Sequence, residues 1–121
     1  MGKAVSRSTS ALGAAYAELS GGEAGAALAS GMGAIHAALA SQLRAGDRVV
    51  APLATYGTTR TQLVRSFGGF GVGVDFVDMT DPAKGRDAFR PTTRMVWMET
   101  PSNPMLNIFD IAAVAEIARA R

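Results

Sequence analysis

The chain has 121 residues, of which 48% are hydrophobic and 18% charged, a balance typical of a folded globular protein and unlike that of a disordered one. The net charge is only +2, and the 12 basic residues are scattered among 10 acidic ones, which argues against a nucleic-acid partner. The sequence has no cysteine and one histidine, which excludes disulfides, thiolate catalysis and metal sites built from sulfur or clustered imidazoles.

A membrane partner is not expected either. Arg44, Asp47 and Arg48 interrupt the longest apolar stretch, so none is long enough to cross a bilayer. The N-terminal region has no apolar core of the kind found in signal peptides, and a cytoplasmic location is therefore the default expectation.

Apolar residues at helical spacing predict the first two helices. The first helix carries Leu12, Ala15, Tyr16 and Leu19 and ends at the glycine pair 21–22. The second helix ends at residues 46–47 and carries Met32, Ile35, Leu39 and Leu43. Between the two helices, the run of small apolar residues 24–29 predicts a buried strand.

Strand and helix signals alternate through the rest of the chain. Residues 48–51 predict a strand closed by Pro52, and residues 56–67 predict a helix whose inner face is Leu63, Val64 and Phe67. After a glycine-rich loop, alternation predicts a strand over 72–77, then a short helix over 81–89 that begins at Pro82. The apolar run 95–98 predicts a fourth strand, and Asp110 caps a last helix with an inner face of Ile111, Val114 and Ile117.

These repeated strand–helix units predict an α/β fold, in which a mostly parallel sheet has helices on both faces. Ligands of such sheets bind where a strand ends and the next helix begins. Three of these junctions carry unusual residues, and we expect all three at the same edge of the sheet.

The first junction is the segment 29–35, which places two glycines at a helix entrance. Ser30 can cap this helix, while the amides of Gly31 and Met32 can donate to an anion such as a phosphate. The alternative is a tight turn whose glycines serve only packing. The spacing matches neither the dinucleotide-binding nor the P-loop glycine pattern.

The second and third junctions are 55–59 and 99–104. Tyr56 can stack on a flat cofactor and act as an acid or base, or it can be a half-buried structural tyrosine. Two prolines hold Glu99 and Asn103 in a rigid turn that suits either ligand contact or an ordinary loop. Elsewhere, His36 is expected to be a structural or surface histidine, Trp97 a core residue, and the pair Arg60 and Arg65 a solvated face.

Several motifs occur in one collinear order: SGMGAI, AGDRVVAP, YGTT, FVD and MVWMETPSNPMLNIFDI. Together they resemble the pyridoxal-phosphate-dependent trans-sulfuration enzymes, a family that includes cystathionine gamma-synthase, cystathionine gamma-lyase, methionine gamma-lyase and the O-acylhomoserine sulfhydrylases. The resemblance implies that residues 1–121 are part of the large, pyridoxal-phosphate-binding domain of a fold type I (aspartate-aminotransferase-like) enzyme. Residues 1–10 form an unmatched leader.

The resemblance also implies roles for single residues. The amides of Gly31 and Met32 would bind the phosphate of pyridoxal 5'-phosphate, and Asn103 would hydrogen-bond its phenolic oxygen. Tyr56 would stack on the pyridine ring and transfer protons at the substrate. Glu99 belongs to the same cofactor-binding set and would order the turn that carries Asn103.

The implied activity is a β- or γ-elimination or replacement on homoserine esters, cystathionine or methionine. Its partners would be a small-molecule sulfur amino-acid substrate and, in the complete protein, further copies of the chain in a dimer or tetramer. In the family, the lysine that holds the cofactor lies beyond the segment that matches Arg121. Lys3 and Lys84 are the only lysines here, and neither stands at that position.

The isolated chain is therefore expected to be inactive, as the front of a longer enzyme. The alternative is a non-catalytic remnant or interaction module that retains the half-fold. A nicotinamide-dependent Rossmann protein is disfavoured because no G-x-G-x-x-G follows the first predicted strand.

Overall fold

The computed structural model describes residues 6–120. The chain divides into two units, Met1–Ile35 and His36–Arg121. Helix α1 spans Arg7–Ser20, and helix α2, Gly31–Gln42, begins in the first unit and ends in the second. Over the described residues, no helix combines the length and the apolar character that a membrane crossing requires.

Helix α1 ends at the predicted glycine stop and begins at a capping serine that the sequence pattern did not single out. The Ser6 hydroxyl accepts a hydrogen bond from the Thr9 amide at 3.2 Å, and Gly21 ends the helix in the left-handed region with a φ of 66°. The first predicted helix and its glycine stop are thus confirmed. The residues that α1 buries are Gly13 and Ala17, whereas its larger apolar side chains are exposed: Leu12, Tyr16 and Leu19.

The strand predicted over 24–29 is wrong. Residues 24–28 have no regular secondary structure and pair with no strand among the described residues. A Cβ added to Gly13 would clash with the Gly25 carbonyl oxygen, so the helix and this segment touch backbone to backbone. A strand needs a neighbouring strand to share its hydrogen bonds, whereas these small residues serve close packing against a helix.

The second unit is built on a parallel sheet, which confirms the predicted fold class. Strands β1 (Arg48–Pro52), β2 (Gly73–Val77) and β3 (Thr93–Val96) lie in the order β2-β1-β3. Val50 of the central strand pairs in register with Asp75 of β2 and Val96 of β3. The carboxyl ends of all three strands therefore meet at one edge of the sheet.

Helices connect and follow the strands. Helix α3 spans Gly57–Thr61 and continues as a π-helical segment, Gln62–Phe67, while α4 spans Pro82–Asp87 and α5 spans Ile111–Arg119. Helix α4 is shorter than predicted, and β3 lies two residues before the predicted strand. The Trp97 amide still bonds to the Val50 carbonyl at 2.9 Å. Asp110 caps α5 as predicted, accepting from the Ala113 amide at 2.9 Å.

The core of the second unit surrounds β1, where Val49, Val50 and Ala51 are fully buried, as expected of a strand covered on both faces. Leu63 and Phe67 are buried as predicted, but Val64 is wrongly placed on the inner face, since it is 49% exposed. The π-helical winding has more residues per turn than an α-helix and so rotates Val64 away from the core. Ile111, at the first position of α5, is also exposed.

An ion pair ties β1 to β2. Arg48 donates to both carboxylate oxygens of Asp75, at 2.6 and 2.7 Å, and Arg90 donates to the same carboxylate at 3.3 Å. The hydrogen bond from Arg48 holds the pKa of the Asp75 carboxyl below its ordinary value. Gly73, which pairs in register with Arg48, leaves room for the guanidinium, because a Cβ there would lie 2.5 Å from Arg48 Nη1.

Candidate active site

Two of the predicted junctions meet at the carboxyl edge of the sheet. Tyr56 follows β1 and is the N-cap residue of α3, and Glu99 follows the neighbouring strand β3. The Tyr56 amide donates to Glu99 Oε2 at 3.0 Å. The structure therefore brings the second and third junctions together, as the strand order predicts.

The Glu99 carboxylate has a second partner that the sequence did not indicate. Trp97, two residues earlier on the same strand exit, donates from its indole Nε1 to Glu99 Oε1 at 2.9 Å. Trp97 is thus half-buried with a polar contact, rather than the core residue expected. Hydrogen bonds to an ionised carboxylate are among the strong ones in proteins, so both strand exits are fixed through one side chain.

The Tyr56 side chain itself makes no capping bond and is 40% exposed. Thr55 before it is buried, and its hydroxyl donates to the Pro52 carbonyl at 2.6 Å, which closes the turn after β1. The backbone at Tyr56 is therefore fixed while its ring and hydroxyl stay accessible at the edge of the sheet.

Asn103 lies on a loop held by its own hydrogen bonds. Ser102, fully buried, accepts from the Asn107 amide at 2.9 Å, and its own amide donates to the Asn107 carbonyl at 3.0 Å. Thr100 Oγ1 accepts from the Phe109 amide at 3.2 Å. Asn103 is exposed, so the loop presents its carboxamide on a fixed backbone. Ser102 belongs to the motif MVWMETPSNPMLNIFDI, but nothing in that pattern indicated that this serine would hold the loop.

The glycine-containing helix entrance lies in the first unit. Ser30 Oγ accepts from the Gly33 amide at 3.1 Å, and the Ser30 carbonyl accepts from the Ala34 amide at 3.0 Å. Ser30 therefore caps α2 as predicted. Among the described residues, none accepts a hydrogen bond from the Gly31 amide, and a Cβ added there would meet nothing within 4 Å. An open backbone donor at the first turn of a helix suits an anion.

Lys84 is occupied by a structural contact. Its ammonium group donates to Asp78 Oδ2 at 3.1 Å. Hydrogen bonds from the Thr80 hydroxyl and from Lys84 lower the pKa of Asp78 to about 2.

The arginine pair and the histidine outside the three junctions agree with the sequence-based expectation. Arg60 and Arg65 are exposed, as expected of a solvated face, and the Arg60 guanidinium also lies 3.8 Å from the centre of the Phe76 ring, a cation–π contact. His36 is exposed and its ring lies 5.2 Å from that of Phe67, which agrees with a structural or surface histidine.

The sequence and the fold both have known counterparts. Residues 3–121 match the family model described as Cys/Met metabolism PLP-dependent enzyme. The chain belongs to this family. It is 48% identical over 106 residues to an L-methionine gamma-lyase of Pseudomonas putida, covering 88% of this chain and 27% of the relative. It is also 43% identical over 91 residues to a probable cystathionine gamma-synthase of Herpetosiphon aurantiacus, covering 75% of this chain and 28% of that protein.

A solved structure described for O-acetylhomoserine sulfhydrylase of Wolinella succinogenes resembles this one with a TM-score of 0.87 and 34% identity. The match covers 93% of this chain and 32% of the solved one. The chain thus spans about a quarter of the length of the curated relatives it matches. The family's cofactor is pyridoxal phosphate. In the first unit, the open Gly31 donor has the chemistry to receive a phosphate. In the second unit, the accessible Tyr56 ring and the Asn103 carboxamide have the chemistry to receive a flat ring and a polar ring substituent.

Proposed function

We propose that this chain supplies cofactor-binding elements of a pyridoxal-phosphate-dependent enzyme of sulfur amino-acid metabolism. The activity of the whole protein would be a β- or γ-elimination or replacement on homoserine esters, cystathionine or methionine. The observation that carries the proposal is the family match over residues 3–121, supported by three relatives whose names all concern sulfur amino acids.

The cofactor, when bound, serves as an electron sink that makes protons next to the substrate's amine easier to remove. In the first unit, we assign the phosphate to the amides of Gly31 and Met32 at the entrance to α2. The positive end of the helix dipole adds to the attraction of these donors for an anion. Gly31 has no side chain to hold the anion away from the backbone.

In the second unit, we assign the cofactor ring to Tyr56 and its phenolic oxygen to the carboxamide of Asn103. The exposed Tyr56 ring can stack on a flat heterocycle, and its Oη can give or take a proton at the substrate. Glu99 orders the two loops, through its bonds with the Tyr56 amide and the Trp97 indole.

A binding experiment on the chain tests the phosphate assignment. Pyridoxamine phosphate is the suitable probe, because it has no aldehyde to react with Lys3 or Lys84 at random. We expect equilibrium dialysis to show binding, with pyridoxamine lacking the phosphate bound at least tenfold more weakly. Gly31→Pro removes the donor at a position where helices favour proline, and should weaken binding about tenfold. Gly31→Ala, which keeps the amide and adds only a methyl group, is the matched control and should weaken binding less than Gly31→Pro does.

Equal binding by Gly31→Pro and the wild-type chain would contradict the phosphate assignment. Absence of binding by the wild-type chain would instead favour the non-catalytic module. A second experiment adds pyridoxal phosphate, reduces with borohydride and measures the mass. Since neither Lys3 nor Lys84 matches the family's cofactor lysine, we expect no specific single adduct and no elimination activity.

The remaining statements about the whole protein are also proposals. They are a homo-oligomeric state, dimer or tetramer, and a cytoplasmic location. Size-exclusion chromatography with light scattering on the complete gene product tests the first, and cell fractionation tests the second.

A further inference from the structure

Three groups at the carboxyl edge of the sheet form a chain of hydrogen bonds. Trp97 Nε1 donates to one oxygen of the Glu99 carboxylate at 2.9 Å, and the Tyr56 amide donates to the other at 3.0 Å. Each oxygen thus receives one N–H group, and the three residues come from the exits of two neighbouring strands. Trp97 and Glu99 are both partly buried, and the bond between them is partly shielded from water, whereas the bond from the Tyr56 amide lies at an exposed position.

The Glu99 carboxylate lies at the N-terminus of helix α3, where it takes the role of a capping group. Tyr56 is the N-cap residue of the helix that begins at Gly57, and its own side chain makes no capping bond. In a capping box, a glutamate on the helix's third residue reaches back to the N-cap amide. Glu99 occupies that place from a different strand, where its negative charge also complements the positive end of the helix dipole.

We infer that Trp97 and Glu99 are positioning residues for Tyr56, and that Glu99 acts through the Tyr56 backbone rather than by touching the cofactor. The indole holds the carboxylate, and the carboxylate holds the amide, so the Tyr56 ring is carried by a backbone with little freedom at its N–H. The functional meaning of this arrangement rests on the proposed function, in which the Tyr56 ring stacks on the cofactor.

The chemistry of the Glu99 carboxylate supports a positioning role rather than contact with the cofactor. An ionised carboxylate accepts hydrogen bonds but donates none. It therefore cannot hold a deprotonated phenolic oxygen, whereas the carboxamide of Asn103 can donate to one. Using both Glu99 oxygens for protein N–H groups is consistent with a role in holding the loops, and leaves ring contacts to Tyr56 and Asn103.

Amide hydrogen exchange, measured by NMR on the chain without cofactor, tests the inference. Trp97→Phe removes the indole N–H and keeps an aromatic ring, and Glu99→Gln keeps the shape but replaces one acceptor oxygen with an NH2 group. The matched control is Glu116→Gln, on the exposed face of α5. The Val50 amide, in the central strand, corrects for any change in global stability.

We expect Glu99→Gln to speed exchange of the Tyr56 amide about tenfold relative to Val50, and Trp97→Phe about threefold, with no change in Glu116→Gln. Glu99→Gln should also move the Trp97 indole N–H resonance upfield, a signature that simple loss of stability does not produce. The inference would be overturned if the exchange rate of the Tyr56 amide, relative to Val50, were unchanged in Trp97→Phe or in Glu99→Gln.

The binding experiment separates this inference from the proposed function. If the Tyr56 amide responds as expected and the wild-type chain binds no pyridoxamine phosphate, the proposed function fails and the positioning of Tyr56 stands. If the wild-type chain binds the probe and the Tyr56 amide does not respond, the positioning fails and the proposed function stands.

Discussion

The close approach of Arg48 to Gly73 predicts how Gly73→Ala changes the free energy of unfolding. The sign of that change should depend on which residue stands at position 48. A Cβ on Gly73 would lie 2.5 Å from Arg48 Nη1 and 2.9 Å from Cζ, so Gly73→Ala must move the guanidinium away from Asp75. The Arg48 and Asp75 side chains are 28% and 15% exposed, between the surface and buried cases. Losing this two-bond pair should therefore cost about 2 kcal/mol.

Removing a glycine from a strand recovers roughly 0.5–1 kcal/mol, so Gly73→Ala should destabilise the wild-type chain by about 1–1.5 kcal/mol. In an Arg48→Met background there is no guanidinium to displace. The same Gly73→Ala change should then be neutral or stabilise the chain, by up to about 1 kcal/mol. The sign of the effect reverses because the steric conflict is with a side chain and not with backbone.

Urea unfolding followed by the fluorescence of Trp97, the only tryptophan, measures these changes in the second unit. Gly69→Ala is the control, since a Cβ there would meet nothing within 4 Å. Equal destabilisation by Gly73→Ala in both backgrounds would refute the reasoning, because it would show that the backbone alone requires glycine at this position.

Three further predictions concern stability. Because the pKa of Asp75 is lowered in the folded chain, its stabilising effect is present above the unfolded pKa of about 3.9 and is lost as the pH falls through the folded value. The wild-type chain and Asp75→Asn should therefore differ less in free energy of unfolding, measured in urea, below about pH 4. Gly13→Ala should destabilise the packing of α1 on Gly25 by about 2 kcal/mol or more, because the added Cβ would clash with backbone atoms, which cannot move aside as a flexible side chain can. Faster proteolysis in the first unit would show this, and unchanged proteolysis would contradict it. Asp110→Ala should cost about 1 kcal/mol through loss of the helix cap, whereas Glu116→Ala should cost less than about half of that in the same unfolding assay.

How much of the site could be predicted depends on whether its residues act through local or distant contacts. Ser30 capping α2 is a local contact, and the sequence predicts it. The approach of the Tyr56 loop to Glu99 requires parallel strands, which the alternating pattern predicts, and the adjacency of β1 and β3, which only the structure shows. The indole bond of Trp97 could not be predicted, because a tryptophan in an apolar run is usually core and its N–H partner depends on where the chain turns.

Local propensity and collinear motifs were enough to predict the helices, the caps at Ser30 and Asp110, the parallel sheet and the family. Gly21 and Asp110 end or begin their helices through contacts a few residues away. Long-range packing set the state of residues 24–28, since a run of apolar residues becomes a strand only when another strand shares its hydrogen bonds. The same holds for the exposure of Val64, which the π-helical winding sets, and for the contact of Arg60 with Phe76, which joins residues that no local spacing connects.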